Sequence, residues 1–363
     1  MKKSVKVLGI TAAMMAALTM GGCGTKPTET AATVYGENVS VSELGMYTIY
    51  QQVQYEQFYS MYLGTSVDWS QEYDGATMED ETKKNALDTF KKMKIVAAHA
   101  GDYNVSVSEK EQKKIDKAAK KLVKSNDTKA QKVLYITEDG AKELFKTYYL
   151  YNKTSEAMVA DVDTNVSDEE AAQKKMSYVK FDLESTTDEE GNTVELTEDE
   201  KKEAKAKAEE VAKAGADKLE ASVEGTDYTV ETATFDDESD TLDKKVYKAA
   251  KKLKEGQMSK VIETDSACYV IRLDSNLDRE ATDSKKEEIV SQRKSDAFDA
   301  IYEEWEKADD AFVVDEKVWK TIRFKDKITL KQEETETSEE NTETKDTADT
   351  EETQSEETTE ATE

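Results

Sequence analysis

Proline, glycine, histidine and cysteine are all scarce in this chain. Of its 363 residues, one is proline (Pro27), fourteen are glycine, one is histidine and two are cysteine. The near absence of helix breakers favours long, uninterrupted helices. One histidine and no Cys-x-x-Cys spacing leave no metal-binding motif, so neither a metal nor another cofactor is predicted.

Sequence motifs of catalysis are also missing. The chain contains no Walker loop, no G-x-G-x-x-G and no nucleophile elbow. A Ser-His-acid triad built on His99 is conceivable, but the sequence "KIVAAHAGD" favours a histidine at a helix C-terminus, where the helix dipole stabilises it. Carboxylates are so numerous that no particular pair indicates a glycosidase.

Acidic residues outnumber basic residues over the chain as a whole. The formal net charge is −29, with 80 acidic and 51 basic residues. An acidic surface repels phosphate backbones, so no nucleic-acid partner is predicted. Residues 331–363 hold fourteen acidic and two basic residues and no large apolar side chain. This composition predicts an acidic, disordered tail, which we interpret as a solvated segment; binding to cationic partners is the alternative.

The N-terminus has the pattern of an export signal. Lysines precede an apolar stretch at 7–20 that is too short to span a bilayer comfortably. It ends in "LTMGGCG", which resembles a bacterial lipobox. The resemblance implies a lipoprotein signal peptide at 1–22, lipidation of Cys23, a polar tether at 23–33 and an extracytoplasmic chain anchored to the bacterial cell membrane. Ordinary secretory cleavage is the alternative.

The second cysteine, Cys268, lies in a strand pattern. Once Cys23 is lipidated, Cys268 has no partner for an internal disulfide. We predict that it is a small buried hydrophobic residue.

Helical patterns dominate residues 34–168. Three similar segments, "NVSVSE" at 38–43 and 104–109 and "NVSDEE" at 165–170, are interpreted as helix starts with Ser42, Ser108 and Ser167 as N-caps. Helices are predicted from Ser42 and over 78–100, 108–123 and 137–160.

The composition changes after residue 168. Residues 169–275 have the order β-α-(α)-β-β of a small α/β domain. Residues 276–330 return to a helix at 282–307, followed by extended chain at 311–324. The sequence therefore predicts an α+β protein in which two segments, 34–168 and 276–330, build one mainly helical domain around an inserted α/β domain.

Aromatic residues are concentrated in the first helix. Tyr55, Phe58, Tyr59 and Tyr62 follow helical spacing, which usually indicates core packing. The alternative is a surface that binds unfolded protein segments, for which flat tyrosine and adaptable methionine side chains are suited.

Two stretches carry a specific resemblance. The sequence "KAAKKLKEGQMSKVIETDSACYVIRL" resembles the closing half of a parvulin-type prolyl isomerase (PpiC) domain, and "MSYVKF" stands where its opening strand is expected. Upstream, "ATVYGENVSVSEL" at 32–44 resembles the start of the SurA/PrsA chaperone domain. The resemblance implies a PrsA-type foldase lipoprotein, with the helical segments as its chaperone domain and a parvulin-like domain at 169–275.

The resemblance also implies which residues form the isomerase site and which of them differ from the family. Parvulins have two core histidines, and the matching positions here are Tyr178 and Tyr269. The Gly-Gly-Asp-Leu-Gly segment of the family is replaced by "TFDDESDTLD". Val246 and Met258 are assigned to substrate binding, together with the aromatic residues of the first helix. Isomerisation needs an apolar pocket and polar groups that favour the twisted amide, so both replacements predict weak isomerase activity or none.

The predicted function is an extracytoplasmic, membrane-anchored foldase or chaperone whose partners are unfolded or newly exported proteins. One alternative is an active prolyl isomerase that uses the two tyrosines. Another is a surface lipoprotein that binds a single partner. The sequence leaves a homodimer open.

Overall fold

Helices and antiparallel sheets both contribute to the structure, a computed structural model that describes residues 14–16, 26–187, 193–324 and 328–330. The α-helices of these ranges are α1 (Val41–Phe58), α2 (Met78–Ala98), α3 (Glu109–Ser125), α4 (Thr128–Val133), α5 (Glu138–Met158), α6 (Glu198–Ala214), α7 (Lys244–Ala250), α8 (Arg279–Glu306) and α9 (Glu316–Trp319). The strands are β1 (Met14–Ala16), β2 (Thr30–Val34), β3 (Glu37–Ser40), β4 (Glu72–Tyr73), β5 (Ala76–Thr77), β6 (Lys174–Asp182), β7 (Ser185–Thr187), β8 (Thr193–Glu195), β9 (Glu231–Phe235), β10 (Ile262–Glu263), β11 (Ala267–Ser275), β12 (Val313–Val314) and β13 (Ile328–Leu330). The predicted α+β class is confirmed.

The helical body contains side chains from both ends of the chain. Its hydrophobic core combines Leu44 and Phe90 with Tyr302, Trp319 and Ile322. A three-stranded sheet of order β12-β2-β3 joins the two segments through backbone pairing. Helix α8 packs on α2 and α5. Both chain segments therefore bury their apolar side chains in one common core.

A buried carboxylate holds the returning segment. Glu79, in the first turn of α2, accepts hydrogen bonds from Arg323 Nε at 2.6 Å, Arg323 Nη2 at 3.1 Å and the Phe324 backbone N–H at 3.1 Å. The Phe324 ring packs at 4.7 Å from the ring of Trp69. The segment after α9 is thus fixed by charge, backbone and aromatic contacts at once.

A second carboxylate lies near the end of α1. Glu56 accepts hydrogen bonds from Trp69 Nε1 at 3.1 Å and from the Ile328 backbone N–H at 3.0 Å. It thereby places β13 beside α1. Strand β13 pairs antiparallel with β1, with Met14 opposite Leu330.

The single histidine joins three parts of the helical body. His99 is the C-cap of α2, as the helix-terminal interpretation predicted. Its Nδ1 lies 2.7 Å from Asp102 Oδ2 and its Nε2 lies 3.0 Å from the Tyr35 hydroxyl. The imidazole stacks on Trp305 of α8 with ring centroids 4.0 Å apart. These contacts account for both ring nitrogens, so the residue has a structural role in the fold.

Four sequence predictions of local structure are wrong. The predicted order β-α-(α)-β-β of residues 169–275 lacks a strand, because β9 lies between α6 and α7. The N-cap of α1 is Ser40, since Ser40 and Glu43 form a reciprocal capping box; Ser42 Oγ instead donates to the Tyr135 carbonyl at 2.6 Å. Ser167 accepts from Glu170 N–H at 3.2 Å but starts only a turn. Residues 311–324, predicted as extended, include the short helix α9, whose N-cap Asp315 accepts from two backbone N–H groups.

The connection to the α/β part is fixed to α8. Asp168 contacts both Arg279 and Lys286, and Arg293 donates to Glu170 at 2.6 Å. Hydrogen bonds from Arg279 and Lys286 hold the pKa of Asp168 at about 2. The carboxylate therefore stays ionised at neutral pH and keeps both partners.

The contacts of Glu79 predict a loss of stability when this residue is replaced. Replacing Glu79 by Ala should lower the free energy of unfolding by about 2 kcal/mol, since hydrogen bonds to charged groups contribute about 1.5–3 kcal/mol. Glu81→Ala is the matched control, because Glu81 occupies the same first turn but is exposed. Urea denaturation measures both variants; equal losses would show that Glu79 acts only through the helix dipole.

Buried tyrosines predict a loss of stability at high pH. Burial raises the pKa of Tyr47 from 10.0 to about 12. The folded state therefore keeps a proton that the unfolded chain releases, so stability is complete below about pH 10 and falls as the pH rises towards 12. Tyr47→Phe should reduce this fall, whereas Tyr62→Phe, at an exposed position, should not. Denaturant titrations across this pH range measure the effect, and a fall that is unchanged in Tyr47→Phe would contradict it.

Candidate functional site

The α/β part is a four-stranded antiparallel sheet of order β10-β11-β6-β9 with a helix on each face. Because side chains alternate along each strand, β6 and β11 supply two separate clusters. Val179, Phe181 and Val270 pack with α6. Tyr178, Tyr269 and the other alternate residues pack with α7. Cys268 lies on the α6 face and is fully buried, as predicted.

The two tyrosines at the expected histidine positions lie together on the α7 face. Tyr178 is opposite Ile271, and Tyr269 is opposite Lys180, so the tyrosines are diagonal neighbours on paired strands. Their ring centroids are 6.2 Å apart. Tyr178 is 7% exposed and Tyr269 is 5% exposed. Both rings are therefore core side chains with little surface open to a substrate.

The hydroxyl of Tyr178 has a fixed partner. It donates to Glu231 Oε2 at 2.6 Å, across the β6–β9 ladder in which the two residues are opposite each other. Burial of the ring and the adjacent Glu231 carboxylate raise the pKa of Tyr178. The hydroxyl thus stays protonated at neutral pH, and its proton is directed at the carboxylate.

Two more tyrosine hydroxyls, those of Tyr269 and Tyr247, lie on the α7 face of the sheet. Burial raises the pKa of Tyr269, and its hydroxyl makes no hydrogen bond to any described residue. The Tyr247 hydroxyl lies 2.7 Å from Thr241 Oγ1 and accepts from the Leu242 N–H at 3.1 Å. Tyr247 therefore fixes the segment before α7, while Tyr269 retains one unused phenolic group.

The two residues assigned to substrate binding on this domain lie in different clusters. Val246 is fully buried among the residues of the α7 face. Met258 packs against the cluster on the α6 face and bridges to Arg272. The structure therefore does not bring Met258 to Val246, because the loop after α7 crosses to the other side of the sheet.

A polar cleft lies beside this sheet. Its volume is about 930 Å³, and it is bordered by Lys180, Glu231, α6 and the segment before β9. The carboxylate that binds Tyr178 is thus at the cleft, whereas the Tyr178 ring is beneath the surface. A peptide in the cleft would meet charged groups before it met either tyrosine.

The aromatic residues of the first helix divide into two groups. Tyr55 packs edge-on against Trp69, with centroids 6.2 Å apart, and belongs to the body. Phe58 and Tyr62 lie outside it, with ring centroids 5.2 Å apart. Tyr59 starts a π-helical turn that continues to Leu63 and ends at Gly64, whose φ of 64° suits glycine.

This turn carries an apolar surface, which we call the aromatic surface: the exposed Phe58, Met61, Tyr62 and Leu63 and the half-buried Tyr59. Met61 is 75% exposed and Tyr62 is 73% exposed. The sequence prediction included three of the five residues but missed Met61 and Leu63. The run "FYSMYL" was the available signal, because so many adjacent apolar residues cannot all face one side of a helix.

An apolar cavity lies within the helical body. Its volume is about 160 Å³, and its walls include Met46, Tyr50, Met93, Leu122 and Leu144. Protein interiors contain few voids larger than a water molecule. The cavity has room for one apolar side chain or one small apolar molecule.

Other kinds of site are not found in the described part of the chain. Residues 14–16, 26–187, 193–324 and 328–330 contain no group of three or more acidic, histidine or cysteine side chains that could hold a metal ion. In the same ranges, no helix has both the length and the apolar character needed to cross a bilayer. Cys23 lies outside the described residues.

Comparisons with known proteins identify the α/β part. Residues 180–283 match the family model of the PPIC-type PPIASE domain. Tyr269 is inside the matched range, and Tyr178 lies two residues before it. No curated protein matches the chain.

Several solved structures are similar to the chain at low identity. Foldase protein PrsA from Streptococcus pneumoniae is 19% identical, over 66% of this chain and 88% of that chain, with a TM-score of 0.28. Peptidylprolyl isomerase PrsA from Bacillus anthracis is 16% identical, over 61% and 95%, with a TM-score of 0.23. A SurA-like chaperone of Campylobacter jejuni is 11% identical, over 84% and 99%, with a TM-score of 0.27.

Superposition scores this low support no argument about function, so the assignment rests on the family match. That match covers β11 and the helices on both faces of the sheet. The chain therefore contains a PPIC-type parvulin domain, and the solved structures that resemble it are PrsA- and SurA-like foldases.

Proposed function

We propose that this chain is an extracytoplasmic foldase of the chaperone type, which holds unfolded segments of newly exported proteins while they fold. The observation that carries the proposal is the aromatic surface. Monomeric proteins rarely expose contiguous large apolar side chains unless the surface binds something. Flexible methionine and flat tyrosine side chains adapt to many apolar sequences, as a general chaperone requires.

The arrangement of the chain supports this function. The proposed chaperone domain consists of 34–168 and 276–330, the parvulin-like domain of 169–275, and the acidic tail of 331–363. A lipid on Cys23, following removal of residues 1–22, would keep the protein at the membrane where exported chains emerge. Residues 23–33 would be the tether.

We further propose that the parvulin domain has weak isomerase activity or none. Catalysis requires that a substrate proline reach the polar groups that stabilise the twisted amide. The Tyr178 hydroxyl is engaged with Glu231 at 2.6 Å, and both tyrosine rings are buried. The pair thus contributes to the core of the domain in place of an open catalytic pocket.

The aromatic surface predicts a loss of chaperone activity on substitution. A variant with Phe58, Met61, Tyr62 and Leu63 changed to Gln should suppress aggregation of a chemically unfolded client at least about tenfold less well, since tenfold corresponds to only about 1.4 kcal/mol of binding. Gln favours helix and these positions are exposed, so the fold should be retained. Light scattering measures the suppression.

The control removes apolar side chains that are exposed elsewhere. Val194 in β8 and Leu277 between β11 and α8 are exposed and lie outside the aromatic surface, and changing both to Gln should leave suppression unchanged. Equal activity of all three proteins would contradict the role of the aromatic surface. Saturable binding of one defined protein, without suppression of general clients, would favour the single-partner lipoprotein.

The buried tyrosines predict the outcome of an isomerase assay. The chain should leave cis/trans exchange of a short X-Pro peptide at or close to its uncatalysed rate. The uncatalysed exchange takes tens to hundreds of seconds. The double variant Tyr178→Phe/Tyr269→Phe should give the same rate. NMR exchange spectroscopy measures both, and circular dichroism checks that the variant is folded.

Strong acceleration by the parent chain would contradict the proposal of weak activity or none. If the double variant lost that acceleration, the protein would be an isomerase that uses its tyrosines. If the variant kept it, other groups at the cleft, such as Glu231, would be responsible.

A further inference from the structure

Helices α3 and α4 carry a group of exposed lysines, which we call the lysine face. Its members are the exposed side chains Lys110, Lys113, Lys114, Lys117, Lys120, Lys121, Lys124, Lys129 and Lys132. In α3 the lysines recur at spacings of three and four, so they form one stripe. The opposite stripe of α3, with Ile115, Ala118, Ala119 and Leu122, is buried in the body.

The segment that contains the lysine face has an excess of positive charge. Residues 109–133 contain nine lysines and four acidic residues, a formal charge of +5 in a chain of net charge −29. Lys114 lies 3.7 Å from Glu111. No ion pair within 4.0 Å is found, over the described ranges, for six others: Lys110, Lys113, Lys117, Lys120, Lys124 and Lys132.

Helix α6 provides a comparison within the same chain. It has five lysines, and each is in an ion pair: with Glu198, Asp199, Glu263, Glu210 and Glu209. A lysine-rich helix in this protein can therefore be locally balanced. The excess positive charge of α3 is a specific feature of that helix.

The C-terminal segment carries an excess of negative charge. Residues 331–363 carry a formal charge of −12. They begin directly after β13, which the Glu56–Ile328 hydrogen bond places against α1. In the uncleaved chain, β1 pairs with β13 and also contacts α4, which places β13 near α4. The acidic segment thus leaves the body on the side where α4 lies.

We propose that residues 331–363 dock on the lysine face of the same molecule. A flexible chain of this length spans roughly 30 Å, and α3 is about 25 Å long, so the segment can follow the stripe from its starting point. Its carboxylates alternate with threonine and serine, which allows many equivalent pairings with no single required register. The contact is therefore electrostatic and sensitive to salt.

A segment of the same molecule binds the lysine face more readily than a separate anion of equal intrinsic affinity. A short flexible connection gives an effective concentration in the millimolar range. The segment would thus shield the lysine face from weakly anionic partners and leave it open only to stronger competitors. This inference is independent of the proposed chaperone activity, since it involves neither the aromatic surface nor the parvulin domain.

Zero-length carbodiimide cross-linking of the full chain tests the proposal, because it joins carboxylates only to amines in direct contact. Mass spectrometry should find links from residues 331–363 to lysines of α3 and α4 far more often than to those of α6. The links should disappear at 1 M NaCl, where the screening length is about 3 Å. Changing Lys113, Lys117, Lys120 and Lys124 to Gln should abolish them, whereas changing Lys201, Lys202, Lys207 and Lys213 to Gln should not.

Three outcomes would overturn the proposal. Links distributed equally between α3 and α6 would show non-specific contact. Links found only between ¹⁵N-labelled and unlabelled chains in a mixture would show that the segment binds a second molecule. Binding to phosphatidylglycerol vesicles that requires the α3 lysines, and is equally tight with and without residues 331–363, would make the lysine face a membrane surface.

Discussion

The helical body depends on capturing a chain segment that returns from far along the sequence. The carboxylate of Glu79 is the centre of this capture, since it binds Arg323 and the Phe324 backbone across a separation of 244 residues. Glu56 binds Ile328 in the same way. A buried carboxylate without such partners would be costly, so the body and its returning segment stabilise each other. The position of β13, and hence the origin of the acidic segment, follows from this closure.

Elements with strong local signals were predictable from the sequence. The N-cap Ser108 and the position of α3 agree with the structure, because a serine before a charged, periodic helix satisfies the first-turn N–H groups. The burial of Cys268 was predicted from its position within a strand pattern, and the structure agrees. At Ser42 the local signal was ambiguous: Ser40 with Glu43 makes a complete capping box, and Ser42 binds a carbonyl 93 residues away, which a local pattern does not reveal.

The candidate sites were also only partly predictable from local sequence patterns. The resemblance to parvulins matched Tyr178 and Tyr269 to the two histidine positions, but only the structure shows that both are buried on one face and that Glu231 accepts the hydrogen bond of the Tyr178 hydroxyl. Met258 follows a loop, and loop geometry decides which side of a sheet it reaches. The aromatic surface depends on a π-helical turn, which rotates successive side chains differently from an α-helix. Each of these features arises from tertiary contacts or irregular backbone, which sequence periodicity does not describe.

The insertion of the parvulin domain has a consequence for the order of folding. All four strands of its sheet lie between residues 174 and 275, so they can pair as soon as that segment is complete. The helical body must wait for Arg323 and Ile328, which lie near the end of the described residues. Contacts so distant in sequence form slowly because a long loop has to close first. Until then, the apolar partners of Trp319 and Ile322 are uncovered. The inserted domain can meanwhile serve as a compact unit that keeps the two segments of the body close together.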